Sequence, residues 1–280
     1  VSTPSIGLAL GGGAARGLAH IQALHAFDEL GLRPSHIAGT SIGALLGVAY
    51  AAVPSAQSLE DHARHVLSNR LDAARRAFSS GRGGVLDLIS LNPLTSPLFD
   101  GGQLVRIVLP EEVPDRLENL MIPVTVVACD FYAGTELCFS NGPTVDAVAA
   151  SIAIPGVISA PPGEAVLVDG GCVNPVPISH LQSFDVVVAV NVIGRPAPRG
   201  RATPRTSDLA AGSMQIQQQV IANLHRQAYR CDIWLEPPVN PFRVHEFFRI
   251  DEILAASRQM REQMKRALEA VLETRIKTTG

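Results

Sequence analysis

The sequence predicts an α/β fold, a three-layer α/β/α sandwich on a mostly parallel central sheet. Three observations carry that reading. SIGLAL (5–10) runs through glycines into the helical spacing of ARGLAHIQALHAFDELG (15–31), and SHIAG (35–39) runs into the apolar stretch Ala44 to Val53. Two strand–turn–helix units this compact put neighbouring strands parallel, joined by a right-handed crossover. The third observation is DVVVAVNVI (185–193), a β-branched run of the kind that a parallel sheet buries on both faces.

The remaining elements follow in order. Leu18, Ile21, Leu24, Phe27 and Leu30 make the apolar stripe of the first helix, which Gly31 caps and Pro34 stops. The run behind Ser41 is apolar all round, so it reads as a buried helix to about Ala52. Residues 59–78 alternate an apolar side (Ala63, Val66, Leu67, Leu71, Ala74, Phe78) with an arginine side (Arg64, Arg70, Arg75, Arg76), which reads as soluble surface. Residues 81–102, rich in glycine, proline and leucine, suit either a cover over an apolar site or a plain surface loop. PVTVVACDF (123–131) and TELCFS (135–140) flank Ala133-Gly134 as a β-hairpin, and a short helix near 144–153 ends at Pro155-Gly156. EAVLVDGG (164–171) is a strand ending on an acid. RPAPRGRATPRT (195–206) is a loop, and 207–230 and 249–276 are helices that pack on the sheet.

The chain of 280 residues, 46% hydrophobic and 18% charged, is read as one domain over 1–280, with a core over about 5–193 and a helical and strand completion over about 207–276. A net charge of -3 and a pI near 6.3 give no basic field, so charge supplies no reason to expect a nucleic-acid partner. The longest clean apolar run, Ala44 to Val53, is half the roughly 20 residues that a membrane-spanning helix needs. The numbering opens on Val1, which leaves an upstream leader or domain open and fixes localisation only to cytoplasmic or peripheral membrane. Cys129, Cys138, Cys172 and Cys231 lack Cys-x-x-Cys or zinc-finger spacing and read as reduced, buried small hydrophobes, with a Cys129–Cys138 bridge across the hairpin as the rival reading.

GTSIG (39–43) is a Gly-x-Ser-x-Gly frame that can mount a nucleophilic serine, with Gly39 and Gly43 giving the elbow its room. A serine is inert at neutral pH without a base. None of the eight histidines follows a late strand in the Ser, acid, His order of an α/β-hydrolase, and the serine comes too early for that fold. His180 and His245 stay open as bases. Asp169 is better placed: it ends a strand, and Gly170 and Gly171 behind it free the turn and leave the carboxylate accessible. An ordinary Asp-Gly turn is the plain alternative. In an open α/β sheet GGGAARG (11–17) and GTSIG face one crevice at the carboxyl edge.

GLALGGGAARGLAHIQAL, GTSIGALLGVAYA and LVDGGCVNPVP, in this order, resemble the patatin-like phospholipases, and the resemblance spans about residues 5–193. It implies a serine–aspartate dyad without a catalytic histidine: Ser41 as nucleophile, Asp169 as base, and a lipid or fatty-acyl ester as substrate, with transient membrane-surface contact. An aspartate with an ordinary pKa of about 3.9 is a weak base, so such a dyad gains from a partly desolvated carboxylate. Gly12 and Gly13 are expected to leave room for a carbonyl beside main-chain N–H groups, with the N–H of Ile42 as a further oxyanion donor. Ala14 stands where the family has glycine, which leaves open which amides line the hole. Arg16 matches the family's loop arginine, read as steadying the loop or a substrate phosphate, or as a salt bridge. On this reading neither metal nor cofactor is needed, and oligomeric state is not set.

Three other readings compete. A phosphate-binding loop at GGGAARG lacks the following Lys-Ser/Thr, and a Gly-x-Gly-x-x-Gly match puts Arg16 at the last small position. An acyltransferase would use the same elbow, but the related carrier transacylases have histidine where Thr40 stands. A catalytically idle lipid-binding scaffold would not need the intact serine, aspartate and glycine loop.

Overall fold

The parity of the buried residues along the central strands divides the core in two. On β1 (Ile6–Leu10) and β8 (Val186–Val190), Ile6, Leu8, Leu10, Val186, Val188 and Val190 pack in one hydrophobic cluster, and Ala9, Val187 and Ala189 in another. Successive side chains of a strand point to opposite faces, so the sheet is covered on both sides. The computed structural model describes residues 4–79, 99–196 and 206–279, and it is α/β/α with a mostly parallel sheet.

The first cluster gathers α1 (His20–Glu29), α2 (Ile42–Ala52), α3 (Ala56–Ser79), α4 (Gly101–Val108), α5 (Thr144–Ser151) and α7 (Ile250–Thr279). The opposite cluster is thinner: Ala222 of α6 (Thr206–Ala228) and the short turn Ile178–Leu181 lie over small residues. A Cβ on Gly7 would stand 3.0 Å from Leu181 and Phe184 side-chain atoms, so the small residues let this turn approach the sheet closely.

The sheet order is β5-β4-β2-β1-β8-β9, with β2 (His36–Thr40), β4 (Val124–Asp130), β5 (Thr135–Phe139) and β9 (Ile233–Leu235). β1 pairs parallel with β2 and β8, as the two compact units require. The 123–140 hairpin is present as antiparallel β4 and β5. A separate two-stranded sheet joins β3 (Phe99–Asp100) to β6 (Ile158–Ser159).

β7 (Leu167–Asp169) is shorter than the strand expected over 164–171 and runs antiparallel to β4. β5 covers one edge of β4 from Val126 to Asp130, so β2 and β7 must share the other. β2 occupies it up to the Thr40–Val127 pair, and β7 takes over at the Ala128–Asp169 pair. The residue after β2 and the last residue of β7 therefore meet at one point of one strand edge.

One expectation, that all four cysteines are buried, needs correction. Only Cys129 of the four free cysteines is buried; Cys138 is exposed, and Cys172 and Cys231 are half-buried. The 129–138 bridge is absent because the hairpin register sets Cys129 opposite Glu136 and Cys138 opposite Val127. The stretches 81–98 and 197–205, and the side chains of the arginine-lined helix beyond Ser68, lie outside the described residues. Among the described residues no helix is long and apolar enough to cross a membrane.

Candidate active site

Ser41 sits between β2 and α2 with φ 56° and ψ -124°, a sparsely populated positive-φ conformation that costs a non-glycine residue on the order of 1–3 kcal/mol. Such strain persists only where the surroundings over-determine it. Gly39 and Gly43 provide that: a Cβ on Gly39 would lie 2.6 Å from the Ala44 Cα, and one on Gly43 would lie 2.0 Å from the Leu10 carbonyl oxygen. The buried Ser151 hydroxyl accepts the Ser41 N–H at 2.8 Å and donates to the Val127 carbonyl at 2.6 Å, pinning the elbow to β4.

The Ser41 hydroxyl donates to Asp169 Oδ2 at 2.5 Å, and the Gly171 N–H donates to Oδ1 at 2.7 Å. Asp169 is 4% exposed. Burial pushes its pKa up to about 6 from the ordinary 3.8, against the pull of the Ser41 and Gly171 hydrogen bonds. The carboxylate is thus a stronger base than a solvated aspartate and still ionises below neutrality.

No histidine stands in this contact. His180 faces Glu136 at 2.5 Å and Cys138, His36 faces Thr125, His25 faces Glu60, His62 faces the Val108 carbonyl, and His225 faces Asn174. His245 is exposed. His20 is fully buried, and burial lowers its pKa to about 4, so the neutral ring donates from Nε2 to the Gly11 carbonyl at 2.8 Å and anchors the glycine turn from below.

The turn itself is held from several sides. The Gly12 N–H donates to the Pro175 carbonyl at 2.9 Å, so Gly12 offers space and no free donor; a Cβ there would sit 3.4 Å from the Ser41 Cβ. Gly13 has no room for a side chain, since its Cβ would come within 2.6 Å of the Val192 carbonyl oxygen. Ala14 opens the short helix Ala14–Ala19 and Ile42 opens α2, so neither N–H has an acceptor within its own helix. Among the described residues the N–H groups of Gly13, Ala14 and Ile42 carry no main-chain hydrogen bond. Ala14 lies at φ 50°, a conformation that glycine takes without strain and alanine does not.

Arg16 is buried and donates through Nε to the Phe242 carbonyl at 2.8 Å and through Nη1 to the Ile193 carbonyl at 2.5 Å. Both bonds run to main-chain carbonyls of distant segments, so Arg16 steadies the loop through these carbonyls and not through a salt bridge. Gly170 packs on β4, where a Cβ would reach within 2.3 Å of the Val127 carbonyl oxygen, and one on Gly171 would reach within 2.6 Å of the Gln218 side chain.

A family profile described as patatin-like phospholipase matches residues 8–181, spanning the glycine turn, the elbow and the Asp169 turn. The chain belongs to the patatin-like phospholipase family. An NTE family protein of Mycobacterium tuberculosis is 35% identical over 206 residues, covering 71% of this chain and 52% of that protein. Human patatin-like phospholipase domain-containing protein 6 is 31% identical over 193 residues, 67% of this chain and 13% of its own length. The chain thus spans about half the length of this mycobacterial relative and a small part of the human one. VipD from Legionella pneumophila has the same overall fold, with a TM-score of 0.50 at 13% identity over 95% of this chain and 67% of that one. Membership of this family supports lipid acyl hydrolysis as the class of activity.

Two residues of the site went unread in the sequence. Ser151 carried a signal, as the one hydroxyl inside AVAASIAI (147–154), yet nothing in that run says that it reaches Ser41. Asn174 is fully buried: its carbonyl accepts the Thr40 hydroxyl at 2.7 Å, and its N–H donates to the Gly170 carbonyl at 2.9 Å, so it ties the two turns together.

Two outcomes are expected. The fold favours the protonated form of Asp169, so this group's contribution to stability is present near pH 4 and lost as pH rises through about 6. Asp169→Asn removes that dependence, and its Tm relative to the parent should climb between about pH 4 and pH 8; a constant offset in thermal melts at both pH values would contradict it. Ala14→Gly should raise stability by about 0.5–1 kcal/mol in urea unfolding, because glycine accepts the positive φ.

Proposed function

We propose that this chain is a lipid acyl hydrolase of the phospholipase A, lysophospholipase or carboxylesterase type, acting through an acyl-serine intermediate on a Ser41–Asp169 dyad. The observation that carries it is the 2.5 Å hydrogen bond from the Ser41 hydroxyl to a buried carboxylate whose pKa is raised to about 6. In the first half-reaction Asp169 Oδ2 takes the hydroxyl proton as Ser41 Oγ attacks the ester carbonyl. The oxyanion is received by the N–H groups of Gly13, Ala14 and Ile42, two of them at helix N-termini where the dipole favours negative charge. Collapse expels the alcohol, which carries away the proton held on Asp169. Water then gives a proton to the same carboxylate as it attacks the acyl ester, and that proton passes to Ser41 Oγ as the fatty acid is released, restoring free Ser41 and ionised Asp169.

Contact with a lipid surface belongs to the same reading. Phe131 and Tyr132 are 57% and 82% exposed directly beyond β4, and Val166, which precedes β7, is 49% exposed. These apolar side chains lie beyond the carboxyl end of β4, past the Ala128–Asp169 pair, so they suit a rim set against lipid while the acyl chain enters the site.

Turnover of a soluble ester by single variants tests the dyad, after circular dichroism shows each to be folded. Ser41→Ala and Asp169→Asn should each lose at least about 10³-fold in kcat. Each histidine changed singly to glutamine should keep a clear fraction of activity. A folded histidine variant as inactive as Ser41→Ala, or a fully active Asp169→Asn, would sink the proposal.

A further inference from the structure

Away from the elbow, β5 and the turn Ile178–Leu181 bring three unlike ligand groups together. Glu136 and Cys138 stand two apart on β5 and so share one face of the strand, and His180 projects from the turn toward them. Cys138 Sγ lies 3.3 Å from Glu136 Oε1 and 3.4 Å from His180 Nε2, and those two atoms are 2.5 Å apart. All three ligand atoms fall within 4.8 Å of one another.

In tetrahedral zinc coordination, bonds of about 2.3 Å to sulfur and about 2.0–2.1 Å to nitrogen or oxygen set ligand atoms roughly 3.3–3.6 Å apart. The two sulfur separations, 3.3 and 3.4 Å, fall within about 0.3 Å of the sulfur values, and the Glu136–His180 contact has to open most, by about 0.8 Å on that geometry. The side chains of Glu136 and His180 are 27% and 28% exposed and Cys138 is exposed, so an ion can reach them from solvent.

The surroundings are those of a held ligand set. Asn174 Nδ2 donates to Glu136 Oε1 at 3.1 Å and to the Ser179 hydroxyl at 3.0 Å, while Asn174 Oδ1 meets His225 Nδ1 at 3.1 Å. Outer contacts of this sort fix the orientation of a carboxylate ligand. A thiolate, an imidazole and one carboxylate select a borderline-soft cation over calcium or magnesium, which prefer all-oxygen sets.

We propose that Glu136, Cys138 and His180 form a binding site for a divalent cation of the zinc class, separate from the Ser41–Asp169 pair and not used in its chemistry. Three protein ligands leave a fourth position for water. Binding releases the Cys138 thiol proton to solvent, and the His180 proton moves to Nδ1 so that Nε2 can face the ion.

The test uses the whole chain, reduced, treated with chelator and desalted, then titrated with Zn²⁺ against a chromophoric chelator and with Co²⁺ in the near ultraviolet. The parent should take up one equivalent of Zn²⁺ and show a thiolate-to-cobalt absorption band. Cys138→Ser should abolish the band, and Cys138→Ser and His180→Gln should each weaken Zn²⁺ binding at least about 100-fold. Cys172→Ser should change neither, and circular dichroism checks that every variant is folded. Absence of stoichiometric Zn²⁺ uptake by the parent would overturn the site, as would uptake that survives the Cys138→Ser/His180→Gln double variant.

Discussion

The hydrogen bond between Ser41 and Asp169 depends on a handover along one edge of β4. β2 pairs with that edge until Val127, and β7 continues from Ala128, so the residue after one strand meets the final residue of the other. Much of the surrounding structure preserves this meeting. Ser151 spans the Ser41 N–H and the Val127 carbonyl, Gly170 presses on that same carbonyl oxygen, and Asn174 links Thr40 to Gly170. A strained elbow and a desolvated carboxylate are both unfavourable alone. Here each sits in a lattice of short, buried hydrogen bonds that cannot relax independently.

The parallel strands and their helices were legible in the sequence because each unit carries its own period and punctuation. SIGLAL, SHIAG and DVVVAVNVI are apolar runs bounded by glycine or proline, and the helices between them have stripes. β7 was read too long and without its direction, since the hydrophobic period of three residues carries no pairing partner. β9 and α4 were unread as single elements. Ile233–Leu235 is too short to show a period, and the start of α4 rests on Asp100, whose side chain accepts the Gln103 N–H, inside a glycine-rich stretch.

The candidate site divides in the same way. Ser41 and Asp169 stand out because a glycine-framed serine, an acid backed by two glycines and a glycine-rich turn occur together in one chain. The roles of Gly12 and Arg16 depend on carbonyls supplied by Pro175, Ile193 and Phe242, from segments more than 160 residues away in the chain. Cys138 and His180 are likewise 42 residues apart, with no spacing rule to join them. Local pattern identifies a group that can react, whereas long-range register decides what it touches.

On the proposed dyad the ionisation of one carboxylate, that of Asp169, controls turnover. Isotope-edited NMR of the aspartate carboxyl groups, with the Asp169 signal assigned by its loss in Asp169→Asn, can be followed from about pH 4 to pH 9 beside kcat/KM for a soluble ester. The account predicts that both curves rise with a single proton and share a midpoint near 6. A carboxyl signal that titrates near the ordinary 3.8 while turnover rises at higher pH would place the controlling proton on another group and contradict it.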